Sequence, residues 1–481
     1  MKLLFVASEM APYAKTGGLA DVIGALPAYL GQAGHDVRVV LPLYDKVDTS
    51  KIVLEAVGDF NVPLGKHTYA VRVFRKTGPD RDRPTVYFVH CPELYARGRL
   101  YTSDSDEHRR FLALSYVALF ICQRFEFAPD IIHAHDWQAA LVPLLLKTLF
   151  AKDPLFRRTR TLLTIHNLMY QGSFPVEYGA DTNLDKFSDL FHQDLMKQGR
   201  INFLLQGVLY ADGVSTVSPT YAKEIQTAAL GGGLDGLLRA RSSTVVGILN
   251  GVDYEEWSPE TDRFIPHKYS ASDLSGKEHD KQHLLGQLGL PYRQGVPVLG
   301  IVSRLVGQKG FSLLARTMPD LLRRLGFQLV VLGSGEPALE EMFASLQRAF
   351  PRQVCFYQGF KNDLAHLIEA GADMFVMPSV YEPCGLNQLY SLRYGTVPIV
   401  HRTGGLADTV QTWSPSTGRG TGFAFEHHDE AGLRWAVQAA LATYRQPAQW
   451  SQIVQNGMAA DFSWQTQGRL YELVYKRLAS S

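Results

Sequence analysis

Lys15 stands directly before Thr16-Gly17-Gly18-Leu19-Ala20-Asp21, and the same six letters return as Thr403-Gly404-Gly405-Leu406-Ala407-Asp408. Each copy follows an apolar run and opens a segment with helical spacing. Each therefore predicts a strand-to-helix turn, where backbone N–H groups and the helix dipole favour an anion. Two such turns predict a phosphate-bearing ligand. The spacing differs from the G-x-G-x-x-G of a dinucleotide site, which disfavours hydride transfer. A second cationic cluster, Arg304 and Lys309 in Ser303-Arg304-Leu305-Val306-Gly307-Gln308-Lys309-Gly310, follows the run Val298 to Val302. At ~4 Å and an effective dielectric near 20, a cation–phosphate contact contributes about 4 kcal/mol before desolvation. A departing diphosphate gathers charge on its oxygens, so such cations stabilise the transition state more than the ground state.

Acids and histidines mark three further strand ends. His133-Ala134-His135-Asp136-Trp137 contains H-x-H, which can begin a metal site. No E-x-x-H or second H-x-H follows to complete one, so no metal is expected. Asp136 falls where strands of an open α/β sheet meet their ligands. Thr164-Ile165-His166-Asn167 ends another strand with a polar pair. Glu382, in Glu382-Pro383-Cys384-Gly385-Leu386, lies on a loop before a helix, a place where glutamate also serves simply to neutralise the helix N-terminus.

The elements that must carry these groups are short, continuously apolar runs. They are Lys2 to Ala7, Val37 to Leu41, Asp130 to Ala134, Thr161 to Ile165 and Gly213 to Val217, then Val298 to Val302, Gln328 to Leu332, Val354 to Tyr357, Asp373 to Met377 and Thr396 to Val400. Helix-like stretches separate them. Runs without alternation predict parallel strands buried on both faces. A polar, irregular interval after Asn250 divides two such series. A chain of 481 residues exceeds one core, and two parallel α/β domains joined near residues 245 to 260 follow. A last helix carries Leu470, Leu473, Val474 and Leu478 on one face.

Bulk composition narrows the partners. Lys+Arg 48 against Asp+Glu 47 gives no electrostatic reason for nucleic acid or an anionic membrane. Cys91, Cys122, Cys355 and Cys384 are scattered, as in reduced cytosolic proteins. The N-terminal apolar run is too short for a signal peptide, and no stretch approaches the ~20 residues of a membrane helix. A cytoplasmic protein is expected.

Taken in order, Lys15-Thr-Gly-Gly-Leu, His133-Ala-His-Asp-Trp, Thr164-Ile-His-Asn, Leu249-Asn-Gly-Val-Asp, Ser303-Arg-Leu, Gln308-Lys-Gly, Glu382-Pro-Cys-Gly-Leu, Arg402-Thr-Gly-Gly-Leu-Ala-Asp-Thr-Val and Asp461-Phe-Ser-Trp-Gln resemble the bacterial glycogen synthases and plant-type starch synthases almost end to end. The resemblance implies an α/β protein of two Rossmann-like domains facing across a cleft (the GT-B fold). They would span residues 1–247 (acceptor side) and 248–460 (nucleotide-sugar side), with 461–481 as a helix crossing back to the first. It implies transfer of glucose from ADP-glucose to the non-reducing end of an α-1,4-glucan, such as glycogen, with retention and without metal or cofactor. By the same resemblance Lys15, Gly17 and Gly18 approach the sugar diphosphate, Arg304 and Lys309 hold the departing pyrophosphate, and His166 faces the anomeric centre. Asp136, Asn167, Asn250 and Glu382 hold glucosyl hydroxyls, and Phe360 meets the base. Asp21, Cys384, Gly385, Thr403, Gly404 and Gly405 complete the substrate contacts.

One departure is visible. Tyr390 stands where the E-x7-E of many such transferases has its second acid, a loss shared by the glycogen and starch synthase branch. Competing readings are a UDP-glucose donor, a retaining glycosidase using Asp136 and Glu382, a phosphorylase with pyridoxal phosphate, and a silent glucan-binding homologue. Tyr95 and Tyr101 would border a glucan groove or simply pack.

Overall fold

In the computed structural model, which describes residues 1–77 and 84–480, the chain divides into two compact units. The first comprises Met1–Gly251 with Trp464–Ser481, and the second Val252–Ser463. The partition thus runs a few residues beyond 247 and 460.

The first unit is built on a nine-stranded sheet. Its spatial order is Val245–Gly247, Gly213–Thr216, Arg160–Ile165, Ile131–His135, Lys2–Val6, Asp36–Pro42, Thr85–His90, His67–Thr77, Val53–Leu64. The strands from Val245–Gly247 to Thr85–His90 pair in parallel. Leu3 to Val6 and Ile131 to His135 are fully buried because helices cover both faces. The last two strands are antiparallel, so the sheet is mixed rather than purely parallel. That hairpin alternates in burial, with Tyr69, Val71 and Val73 inward and their neighbours in water. It therefore lacks the continuous apolar run that marks the strands at the centre of the sheet. Lys2–Val6 is followed in space by Asp36–Pro42 on one side and Ile131–His135 on the other. Connections diverge there, and the C-terminal strand ends at such a point are where open α/β sheets bind their ligands.

The helix Trp464–Ala479 belongs to this unit through only part of the apolar face expected of it, since Leu478 is buried and Val474 packs partly buried against the core. Leu470 and Leu473 are 42% and 62% exposed, whereas Trp464, Gly468, Tyr471, Tyr475 and Leu478 are buried. Aromatic rings bury more apolar surface than leucines, and the glycine lets the helix approach. A Cβ at Gly468 would lie 2.3 Å from the Tyr29 ring. Glycine to alanine inside a helix ordinarily stabilises by ~1 kcal/mol. Here overpacking reverses the sign, and Gly468→Ala is expected to cost about 1–3 kcal/mol in urea unfolding.

The second unit holds a six-stranded parallel sheet, ordered Val354–Gln358, Gln328–Gly335, Val298–Leu305, Met374–Met377, Val397–His401, Phe423–Phe425. Its point of divergence lies between Val298–Leu305 and Met374–Met377. The loops leaving those two strands carry Lys309 and Glu382. Among the described residues no helix is long and apolar enough to cross a membrane.

Candidate active site

In the first unit, Asp136 is the residue on which the C-terminal strand edge turns. It ends Ile131–His135 and adopts a left-handed backbone, φ 53°, which aspartate tolerates better than most side chains. Its Oδ1 accepts the His166 amide at 2.7 Å, with the Asn167 amide further off at 3.5 Å. The ends of two neighbouring strands are thereby clamped together. Burial pushes the Asp136 carboxyl up to about 7; the two amides pull it down less strongly, and the nearby Glu9 charge adds to the rise. Asn167 Oδ1 in turn accepts the Met169 amide at 3.1 Å.

His166 is buried beside His135, with Nε2 of the former 3.0 Å from Nδ1 of the latter. Burial lowers the His166 ring to about 3, so it is a neutral imidazole at physiological pH. His133, the other member of H-x-H, spends its nitrogens on Tyr475 and Thr164. Asn250 is buried, and its Oδ1 has no partner among the described residues. An orphaned acceptor of this kind marks a place where a ligand hydroxyl would be welcome.

The glycine turns do not have the form expected of them. Glu9, a buried carboxylate in the loop after the first strand, accepts the Thr16 amide at 2.6 Å and the Gly17 amide at 3.1 Å. It also accepts the Thr16 and Tyr101 hydroxyls. The turn already holds an anion of the protein's own. The amides of Gly18 and Leu19, first in their helix, have no hydrogen-bond partner among the described residues. Lys15 is half exposed and donates to Asp21 at 2.5 Å. Burial raises the Asp21 carboxyl, and Lys15 opposes the rise. Tyr95 is fully buried and donates to the Arg110 carbonyl, so it packs, whereas Tyr101 is only partly buried, with its hydroxyl on Glu9.

The second copy is a buttress. The Gly405 amide donates to the carbonyls of Glu382 and Pro383. A Cβ on Gly404, whose φ is 44°, would lie 1.9 Å from the Glu382 carbonyl oxygen. Thr403 is buried at the head of this six-residue helix. Cys384 is buried against Gly405, and Gln388 binds the carbonyls of Cys384 and Gly385. Both glycine pairs thus support acids, Glu9 and Glu382, instead of offering two open anion cradles.

The Glu382 loop is held from the other side as well. Gly310 adopts φ 71°, and a Cβ there would fall 1.8 Å from the Pro378 carbonyl. His428 and His401 donate to the Pro378 and Ser379 carbonyls at 2.8 and 2.7 Å. The Val380 amide binds Gln308 O. These contacts bring Lys309 Nζ to 2.6 Å from Glu382 Oε2, which also accepts Ser379 Oγ at 2.9 Å. Arg304 is different: it is exposed at the end of its strand, and its guanidinium has no partner among the described residues. Phe360 follows Gly359 at the end of Val354–Gln358 and is 71% exposed. Tyr390, in place of an acid, lies nearly parallel to the Trp257 ring, centroids 3.9 Å apart.

Residue types alone did not single out Glu9 in the first unit or Ser379, His401 and His428 in the second, and marked His135 only as part of H-x-H. The legible signal for Glu9 was an acid set in the loop between an apolar strand and a glycine turn.

The family descriptions that match are the starch synthase catalytic domain over residues 2–240 and glycosyl transferases group 1 over residues 290–456. The chain is 46% identical to a glycogen synthase of Koribacter versatilis, covering 99% of this chain and 98% of that one. It is 45% identical to a glycogen synthase of Myxococcus xanthus over the full length of both. Among solved structures, the catalytic domain of starch synthase IV from Arabidopsis thaliana, bound to ADP and acarbose, superposes with a TM-score of 0.92 at 35% identity, covering 100% of this chain and 99% of that one. With likeness of this degree along its whole length, the chain belongs to the glycogen and starch synthase family of two-domain (GT-B) glycosyltransferases.

Proposed function

We propose that this enzyme moves glucose from ADP-glucose to the non-reducing end of an α-1,4-glucan, with Arg304 and Lys309 drawing the diphosphate away from the anomeric carbon. The observation that carries this reading is the pairing of an unpartnered arginine with a lysine locked onto Glu382, both at the C-terminal edge of one parallel sheet. A diphosphate is the ligand that a free guanidinium and a neighbouring ammonium suit. The cations, rather than the glycine amides, carry the phosphate recognition; Lys15, half exposed, is able to turn from Asp21 toward an anion.

Departure of the diphosphate leaves positive charge on the glucose carbon. The neutral His166 ring and its backbone carbonyl face that charge without opposing it, and Asp136 stabilises it when ionised. Asn167, Asn250 and Glu382 hold hydroxyls. Transfer is front-side, and a departing phosphate oxygen takes the acceptor's proton, which preserves configuration without a covalent glucosyl-enzyme. Phe360 stacks on the base. Phe360→Ala is expected to raise KM for the donor about tenfold with kcat unchanged, since stacking acts equally on ground and transition states.

ADP as the nucleotide rests on the name of the starch synthase ligand. The deciding assay supplies glycogen with ADP-glucose or UDP-glucose and measures nucleotide released. Faster release of UDP than ADP rejects the donor assignment, and release of neither rejects the transferase reading.

A further inference from the structure

His135 and His166 share one hydrogen bond, and the surroundings decide which ring supplies its hydrogen. Burial holds both rings neutral near pH 7, so a single hydrogen lies between His135 Nδ1 and His166 Nε2 at 3.0 Å. If His166 supplied it, the hydrogen of His135 would sit on that ring's Nε2. This atom is sealed from solvent and has no hydrogen-bond partner among the described residues. The rings of Phe5 and His133 pack against His135, with centroids 5.6 and 4.0 Å away. A buried N–H without an acceptor costs about 1–3 kcal/mol, and orphaned donors are rarer than under-satisfied acceptors. The reverse arrangement leaves only a bare lone pair on His135 Nε2.

The remaining ring nitrogen of His166, Nδ1, makes no hydrogen bond within the described protein. Two contacts keep the pair in register. The His166 amide is tied to Asp136 Oδ1, and His133, against which His135 packs, is anchored by Tyr475 and Thr164. We propose that His135 is a positioning residue whose Nδ1–H donates to His166 Nε2, holding His166 as the Nδ1–H tautomer so that its free edge offers a hydroxyl oxygen of the sugar an N–H donor rather than a lone pair. The assignment rests on the sugar-facing role given to His166 only for its consequence in turnover, not for the tautomer itself.

The full-length protein labelled with ¹⁵N-histidine, studied by long-range ¹H–¹⁵N correlation near pH 7, tests this without any substrate. His166→Gln identifies the ring's signals. The expected spectrum has His166 protonated on Nδ1 and bare on Nε2; protonation on Nε2 overturns the proposal. His135→Phe, which lacks any donor, is expected to abolish the single tautomer and lower kcat roughly tenfold or more, with KM for glycogen unchanged. His135→Asn keeps an N–H near the Nδ1 position and is expected to rescue both the tautomer and most of kcat. An unchanged His166 tautomer and unchanged kcat in His135→Phe also overturn it. Should that variant fail to fold, the wild-type spectrum alone decides. A Nδ1–H His166 whose replacement by Gln leaves kcat intact would support the tautomer and reject the sugar-facing role.

Discussion

Replacing Arg304 with alanine is expected to lower kcat/KM for the sugar nucleotide by about 10²–10³-fold while leaving stability within ~0.5 kcal/mol of wild type. The guanidinium is exposed and unpartnered, so the folded protein loses nothing when it goes. Only the ligand's charge misses it. Lys309→Ala is expected to lose a similar factor in rate, but by a different route. Lys309 is bound to Glu382 at 2.6 Å, and the side chain of Glu382 is only 7% exposed. Truncating the lysine leaves a nearly buried carboxylate without its cation, which costs stability as well. The double variant Lys309→Met/Glu382→Gln should therefore recover thermal stability relative to Lys309→Ala without recovering turnover. Steady-state kinetics and thermal unfolding on the four proteins separate the two effects. Near wild-type turnover in Arg304→Ala would remove that residue from diphosphate binding.

The second large effect concerns Asp136. Its carboxyl is raised to about 7 chiefly by burial. A carboxyl that binds its proton more tightly folded than unfolded makes the folded state lose stability as pH rises from about 4 to about 7. Above that the charged form persists at a cost. Asp136→Asn keeps an oxygen for the His166 amide and removes the charge. It is expected to melt at the same temperature as wild type near pH 4 and roughly 5 °C higher at pH 8.5. Activity moves oppositely. The ionised carboxylate stabilises developing positive charge, so wild-type kcat should climb with pH through about 7. In Asp136→Asn that limb should disappear and kcat should fall about 10²-fold at pH 8. A variant that keeps the limb would assign the titration to another group.

Much of this molecule was legible in its letters, for identifiable reasons. Strands covered on both faces must be continuously apolar, and ten such runs foretold the central strands of both sheets and the strand ends at which Asp136, His166, Arg304 and Glu382 lie, though not Thr85–His90 or the three-residue strands Val245–Gly247 and Phe423–Phe425. Function followed from the order of the motifs, confirmed by relatives alike along the whole length. The hairpin Val53–Leu64 with His67–Thr77 escaped because one face meets water, so its signal is alternation, diluted by polar residues. Leu470 and Leu473 of the last helix misled because hydrophobic spacing names a candidate face, whereas packing chooses the one whose shape fits. Gly468 against Tyr29 and Tyr475 against His133 made that choice. Local sequence likewise set the two Thr-Gly-Gly turns but not what their amides would meet. Glu9 is eight residues from Gly17, and the Glu382 carbonyl is 23 residues from the amide of Gly405. Partners of that kind are selected by the path of the chain. A residue's type states which bonds it is able to make, and only the fold determines which of them are already taken.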